Sequence, residues 1–158
     1  MKAVKIGVKE ESLEKVADCL AALLADEYIL YTKTKKAHWN IEGLDFYSKH
    51  LLFEKQFGQL DEVIDELAER IRTVGHYVSA SLKEFLELTH LTEKNNNQND
   101  SKGFITELLE DHQSIIVKIR GILIAGEDSF LDLGTNDYIT GLMSTHEKMA
   151  WMLKASLN

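Results

Sequence analysis

Not one of the 158 residues is proline. Proline is the strongest helix breaker, so nothing stops this chain from running in helices far beyond the usual three turns. The apolar residues say where those helices lie. Leu13, Val16, Ala17, Leu20, Leu24 and Tyr31 recur at three- and four-residue steps and predict a first helix over 11–38. A second is expected over 46–74, ending at Gly75 as its cap. Gly58 falls in its middle, where glycine costs about 1 kcal/mol relative to alanine unless a neighbouring helix needs the space. Ser81 and Glu84 form a capping box ahead of Phe85 and predict a short helix over 81–89. Residues 93–102 are polar and asparagine-rich, a surface loop. A third long helix over 103–125 carries Phe104, Leu108, Ile115, Ile116, Ile119 and Leu123 inward. After an acidic, glycine-bounded segment at 126–134, a fourth is expected over 136–156, capped by Thr135 or Asn136. Ile139, Leu142, Met149, Ala150 and Leu153 form its inner stripe. No strand alternation or internal repeat is present. The expected class is all-α: a four-helix bundle with a short extra helix between helices two and three, one domain over 1–158 with an arm at 1–10.

The net charge of −8 argues against a surface that grips nucleic acid through its phosphates and suits attraction of cations. The one cysteine, Cys19, sits in an apolar helical pattern and reads as a buried free thiol, which favours a reducing compartment. The first twelve residues have lysines but no apolar core of a secretory signal. The longest apolar run, residues 19–25, is far short of a membrane span. A cytoplasmic protein without a membrane segment is expected.

Chemistry concentrates between His38 and Arg70. On a wheel of about 100° per residue with Glu54 at zero, His50 falls near −40°, Asp61 near −20°, Asp65 near +20° and Glu69 near +60°. An imidazole and four carboxylates thus share a strip beside the core stripe of Phe53, Phe57, Leu60, Ile64, Leu67 and Ile71. Nitrogen with carboxylate oxygen suits iron, and equally Zn²⁺ or Co²⁺. Such a strip is also what a solvated helix face looks like, and Glu62 and Glu66 read that way. His38 and His50 lie twelve residues apart, and the turn at 39–45, with Gly43, lets them meet from two helices.

Other chemistry-bearing residues are fewer. Bundles with an internal two-metal site use two Glu-x-x-His pairs. This chain has one, Glu87 to His90, at the end of the short helix, so an ordinary internal site is not supported. His146 falls on the stripe of the last helix as a buried or interface histidine. Glu27 interrupts the stripe of the first and reads as a boundary glutamate, with support of a metal ligand as the alternative. No phosphate-binding loop, serine-hydrolase elbow or paired-cysteine zinc motif occurs.

The spaced set HWNIEG at 38–43, His50, FEKQF at 53–57 and D-x-x-x-E-R at 65–70 resembles the Dps family, the ferritin-like bacterial mini-ferritins. The resemblance continues through SLKEFLE at 81–87, TND at 135–137 and WMLKA at 151–155. It implies a ferritin-like bundle that assembles into a hollow homo-dodecamer, with ferroxidase sites at two-fold interfaces. There Fe²⁺ is oxidised by hydrogen peroxide or oxygen and stored as Fe³⁺ mineral. By position, His38 and His50 of one subunit would face Asp65 and Glu69 of its neighbour, with Glu54 a further ligand, Trp39 close by and Asp61 outside the core ligand set. The resemblance also makes Asp128, Asp132 and Asp137 candidates to line three-fold pores, against turn and cap chemistry as the plainer alternative. Two features depart from the family pattern. VGHYVSAS after helix two lacks the usual glycine–proline turn, and the arm carries only Lys2, Lys5 and Lys9, so binding and compaction of DNA is the alternative function and is not favoured.

Within one straight helix His50 and Asp65 would stand roughly 22 Å apart, fifteen residues at 1.5 Å each. If they serve one site, two chains must build it.

Overall fold

The computed structural model describes residues 6–93, 99–124 and 132–157, and among these the regular structure is helical throughout. Helix α1 spans Glu10–Asn40, α2 Phe46–Thr73, α3 Leu82–Leu88, α4 Ser101–Leu123 and α5 Leu133–Ala155. Among the described residues no helix is long and apolar enough to cross a membrane. α1 packs against α2 across the five-residue connection 41–45, and α4 packs against α5. The long crossover from α2 to α4 lays α3 across α1. One long crossover between two helical hairpins is the ferritin-like form of the four-helix bundle.

The predicted stripes meet in the core. Leu20, Leu24, Phe53, Leu60, Leu67, Phe104, Leu108, Ile115, Ile119, Ile139 and Leu153 are all buried. Burying each such side chain contributes about 1.5–3 kcal/mol, enough to offset the entropy of ordering long helices. Gly75, with φ of 95°, ends α2: its N–H donates to the Arg72 carbonyl and that of His76 to the Ile71 carbonyl. That double bond is the Schellman close, which needs a left-handed residue. α3 has the expected box, the Ser81 hydroxyl accepting from the Glu84 N–H while Glu84 accepts from the Ser81 N–H. Phe85 anchors it, stacked on Tyr28 of α1 at 4.5 Å.

Polar contacts fix the crossover. The buried Asp26 carboxylate accepts from the Thr89 hydroxyl and the His90 N–H and pairs with Lys118 of α4. Lys33 of α1 bridges Glu107 and Asp111 of α4.

Two expectations need correction. α5 begins at Leu133, three residues before the expected start, and its cap is Asp132, not Thr135 or Asn136. One Asp132 oxygen accepts from the Gly134 and Thr135 N–H groups and from Arg70 of α2, the other from the Thr135 hydroxyl. Gly134 marks this crowding rather than a loop boundary: a Cβ there would stand 3.0 Å from an Arg70 nitrogen. At Gly58, in contrast, a Cβ would meet nothing within 4 Å, so no helix of the same chain approaches it.

Candidate metal centre

His38 in the last turn of α1 and His50 near the start of α2 meet across the 41–45 connection. Their rings stack with centroids 3.7 Å apart and planes 22° from parallel. The His38 Nδ1 lies 2.9 Å from the His50 carbonyl oxygen, and the His50 Nδ1 lies 2.9 Å from the His38 carbonyl oxygen. A carbonyl can only accept, so each Nδ1 carries the proton. In a neutral imidazole that leaves Nε2 with a bare lone pair, the state a metal needs. The bond from His50 also satisfies one of the carbonyls that the end of α1 leaves without a helical partner. Phe57 stands edge-on to His38 at 5.2 Å, and Phe46 lies 5.1 Å from His50. The pair is half-buried against these aromatic walls. Trp39 is 67% exposed and takes the Lys35 ammonium over its ring at 5.5 Å.

Glu54, Asp61, Asp65 and Glu69 are exposed along α2. α2 is unbroken from Phe46 to Thr73. Its rise therefore does separate His50 from Asp65 by roughly 22 Å within the chain. Among the described residues no three His, Cys, Asp or Glu side chains converge to hold a metal ion. The chain presents two ring nitrogens with Glu54 one turn away at one corner, and Asp65 and Glu69 further along α2 at another.

The acidic residues near α5 divide. Asp128 lies outside the described residues. Asp132 is the cap of α5. Burial pushes its carboxyl up, but the Thr135 hydroxyl and N–H, the Arg70 guanidinium and the Gly134 N–H outweigh burial and hold it below the usual carboxylate range. Asp137 is exposed and borders a cavity of about 300 Å³ between α2 and α5, beside Glu66 and Tyr138.

The bundle centre holds polar groups that sequence reading placed at its edge or missed. Glu27 is completely buried, not a boundary residue, and its Oε1 lies 2.8 Å from Nε2 of the equally buried His146. His146 Nδ1 lies 2.9 Å from Nδ1 of His112. His112 was not expected here, although it follows Leu108 by four residues and precedes Ile115 by three, which puts it on the inner stripe of α4. Glu87 is exposed and pairs with Lys83, while His90 bonds to Asp26 and Ser114. Burial pushes the Cys19 thiol up to about 11, against a smaller opposite pull from Lys118.

The comparisons with known proteins agree with this architecture. A family model described as "Ferritin-like domain" matches residues 17–158. An uncharacterised low-temperature-induced protein of Nostoc is 40% identical over 98% of this chain and 87% of its own length. A protein of Bacillus anthracis named DNA protection during starvation protein 2 is 32% identical over 92% of this chain and 98% of its own. The solved structure of a Dps protein from Vibrio cholerae, described as a member of a superfamily of ferritin-like diiron-carboxylate proteins, superposes with a TM-score of 0.89 at 30% identity. That match covers 100% of this chain and 98% of the other.

Proposed function

The chain belongs to the Dps family of ferritin-like proteins, and from that premise we propose that it is an iron-storing mini-ferritin with ferroxidase activity. The observation that carries this reading is the His38–His50 pair. Both Nδ1 protons are spent on backbone carbonyls, which in the neutral rings leaves the two Nε2 lone pairs for a metal, beside an exposed acidic helix. Imidazole nitrogen with carboxylate oxygen is a set that accepts Fe²⁺, and Zn²⁺ or Co²⁺ would compete for it.

In the proposed assembly, a homo-dodecamer, His38 and His50 of one subunit face Asp65 and Glu69 of another across a two-fold axis. Glu54, one turn beyond His50, supplies a further oxygen. Two Fe²⁺ ions bound together give one electron each to hydrogen peroxide. Its O–O bond breaks, two protons are consumed and two waters leave. Removing both electrons in one event avoids a hydroxyl radical. Oxygen is the alternative oxidant. Trp39 and Asp61 flank the site, and Fe³⁺ hydrolyses and mineralises in the hollow centre of the assembly. Asp137 and Asp128 are proposed to draw cations through the three-fold pores. The Asp132 oxygens are engaged in its cap, so its share there is to shape the rim. With its lone thiol and acidic surface, the protein is proposed to work in the cytoplasm.

The test is anaerobic loading with Fe²⁺ followed by peroxide or oxygen, with absorbance and particle mass recorded. Oxidation faster than in buffer, by a particle of about twelve subunits, is expected. His50→Ala combined with Asp65→Ala should keep the helical fold and slow oxidation at least tenfold. Oxidation at the parental rate would place the site elsewhere, and a monomeric mass would remove the shared-site geometry.

A further inference from the structure

The fully buried polar side chains include one set drawn from all four long helices: Glu27 from α1, Gln56 from α2, His112 from α4 and His146 from α5. None is more than 1% exposed. Gln56 donates to the Met149 carbonyl, on the same stretch of α5 as His146. Polar groups at such depth cost several kcal/mol unless hydrogen bonds compensate. Three acceptor atoms of this set, Glu27 Oε2, Gln56 Oε1 and His112 Nε2, have no hydrogen-bond partner among the described residues.

The two ring nitrogens that face one another at 2.9 Å share a single proton, because one and only one of them must carry it. In the first arrangement His112 holds its proton on Nδ1 and donates to His146. His146 then holds its own on Nε2 and donates to the Glu27 carboxylate, and His112 Nε2 is bare. In the second arrangement every bond is reversed. Glu27 is a carboxylic acid donating to His146 Nε2, His146 donates from Nδ1 to His112, and His112 carries its proton on Nε2. The second holds one proton more than the first. Neither contains an imidazolium, in keeping with burial and the neighbouring His146, which hold His112 well below the usual imidazole range.

We propose that Glu27, His146 and His112 form a proton file through the bundle core that takes up and returns one proton per subunit. A proton bonds to His112 Nε2. The Nδ1–H bond of His112 breaks as one forms at His146 Nδ1, and the Nε2–H bond of His146 breaks as one forms at Glu27 Oε1. One proton enters and the charge of the cluster rises from −1 to 0. Along the file itself no heavy atom has to move, since the same two short contacts serve both states.

The surrounding charges are few. On α5 the buried Tyr138 hydroxyl, the floor of the cavity beside Asp137, is pushed well up by burial and by the Glu66 charge of α2 and that of Glu27. On α4 Asp111 adjoins His112 but pairs with Lys33 of α1. Of the two ends of the file, it is the Glu27 end whose charge reaches Tyr138 beside the cavity. The file offers the iron chemistry proposed above, whose hydrolysis step liberates protons, an internal acceptor. That use rests on the iron reading, whereas the file is tested without iron.

The test is a pH titration of the intact, iron-free protein carrying ¹⁵N-histidine and ¹³C-glutamate, read by magnetic resonance. As pH falls, His112 should pass from Nδ1–H to Nε2–H and His146 from Nε2–H to Nδ1–H. Both changes should share one midpoint with the Glu27 carboxyl. Glu27→Gln should abolish the shared titration, and His146→Gln should uncouple Glu27 from His112. Fixed tautomers over the whole range of the native fold would overturn the file. So would a doubly protonated ring, or protonation of Glu27 while His112 keeps its Nδ1 proton. Should a variant fail to fold, the wild-type titration decides alone.

Discussion

His38 and His50 show how much one side-chain hydrogen bond can decide. Each ring is fixed in tautomer by a backbone carbonyl rather than by a carboxylate, so the pair is preset for a cation without drawing on the acids nearby. Cys19 and His112 make residue-scale predictions through their ionisation. The folded thiol is raised from 9.0 to about 11, so the native state favours the protonated form. Its contribution to stability is complete below pH ~9 and is lost as pH rises toward ~11. Thiol labelling of native protein near pH 8 should be many times slower than of denatured protein, and denaturant midpoints should fall across that alkaline window. His112 has the opposite sign. Its folded value lies well below 6.5, so the unfolded chain binds more protons in acid. Stability should decline as pH falls below ~6.5, and His112→Phe should flatten that decline in urea titrations at pH 5 and pH 7.

At the scale of elements, Asp132 does two things that substitutions separate. It caps α5 and pairs with Arg70. Asp132→Asn keeps a good cap and loses the charge, whereas Asp132→Ala loses both. The alanine variant should be less stable by about 1–2 kcal/mol, and the asparagine variant should recover roughly half of that in equilibrium denaturation. Gly58 tests the exposed face of α2. It falls near +40° on the wheel used above, among Glu54, Asp61, Asp65 and Glu69. Inside the chain its Cβ site is open, so in an isolated subunit Gly58→Ala should stabilise by up to about 1 kcal/mol. If another subunit packs closely there, as the proposed two-fold site requires, the same variant weakens assembly. Native mass measured on serial dilution distinguishes the two results, and unaltered assembly would argue against close helix contact at that position.

For the whole molecule, charge and assembly make the predictions. A chain of net charge −8 should give no gel shift with duplex DNA at neutral pH and 150 mM salt. A shift that weakens steeply with added salt would show that local basic segments outweigh the overall acidity. Assembly is the larger matter, because a single chain offers two imidazole nitrogens here and the Asp65 carboxylate roughly 22 Å away. Mixing the single variants His50→Ala and Asp65→Ala before co-assembly should restore a fraction of oxidation activity that neither has alone, since one of the two sites at each mixed interface would then join a parental His50 to a parental Asp65.

The sequence by itself determined the helices and their inner faces. Absent proline, three- and four-residue apolar steps, the Ser81–Glu84 box and the Gly75 stop are local signals, and local hydrogen bonding and periodic burial obey them directly. The spacing of His38, His50, Asp65 and Glu69 was equally legible, as was the conclusion that one straight helix cannot join its two ends. Tertiary structure decided what depends on approach between distant segments. Arg70 drew Asp132 into the role of cap, so α5 starts earlier than its apolar pattern suggests. The carbonyls that fix the His38 and His50 tautomers belong to different helices. Glu27, His112 and His146 lie up to 119 residues apart in sequence, and no periodicity announces that three polar residues on three apolar stripes will meet. Packing four helices puts them at one depth, where burial leaves their polar atoms to bond one another.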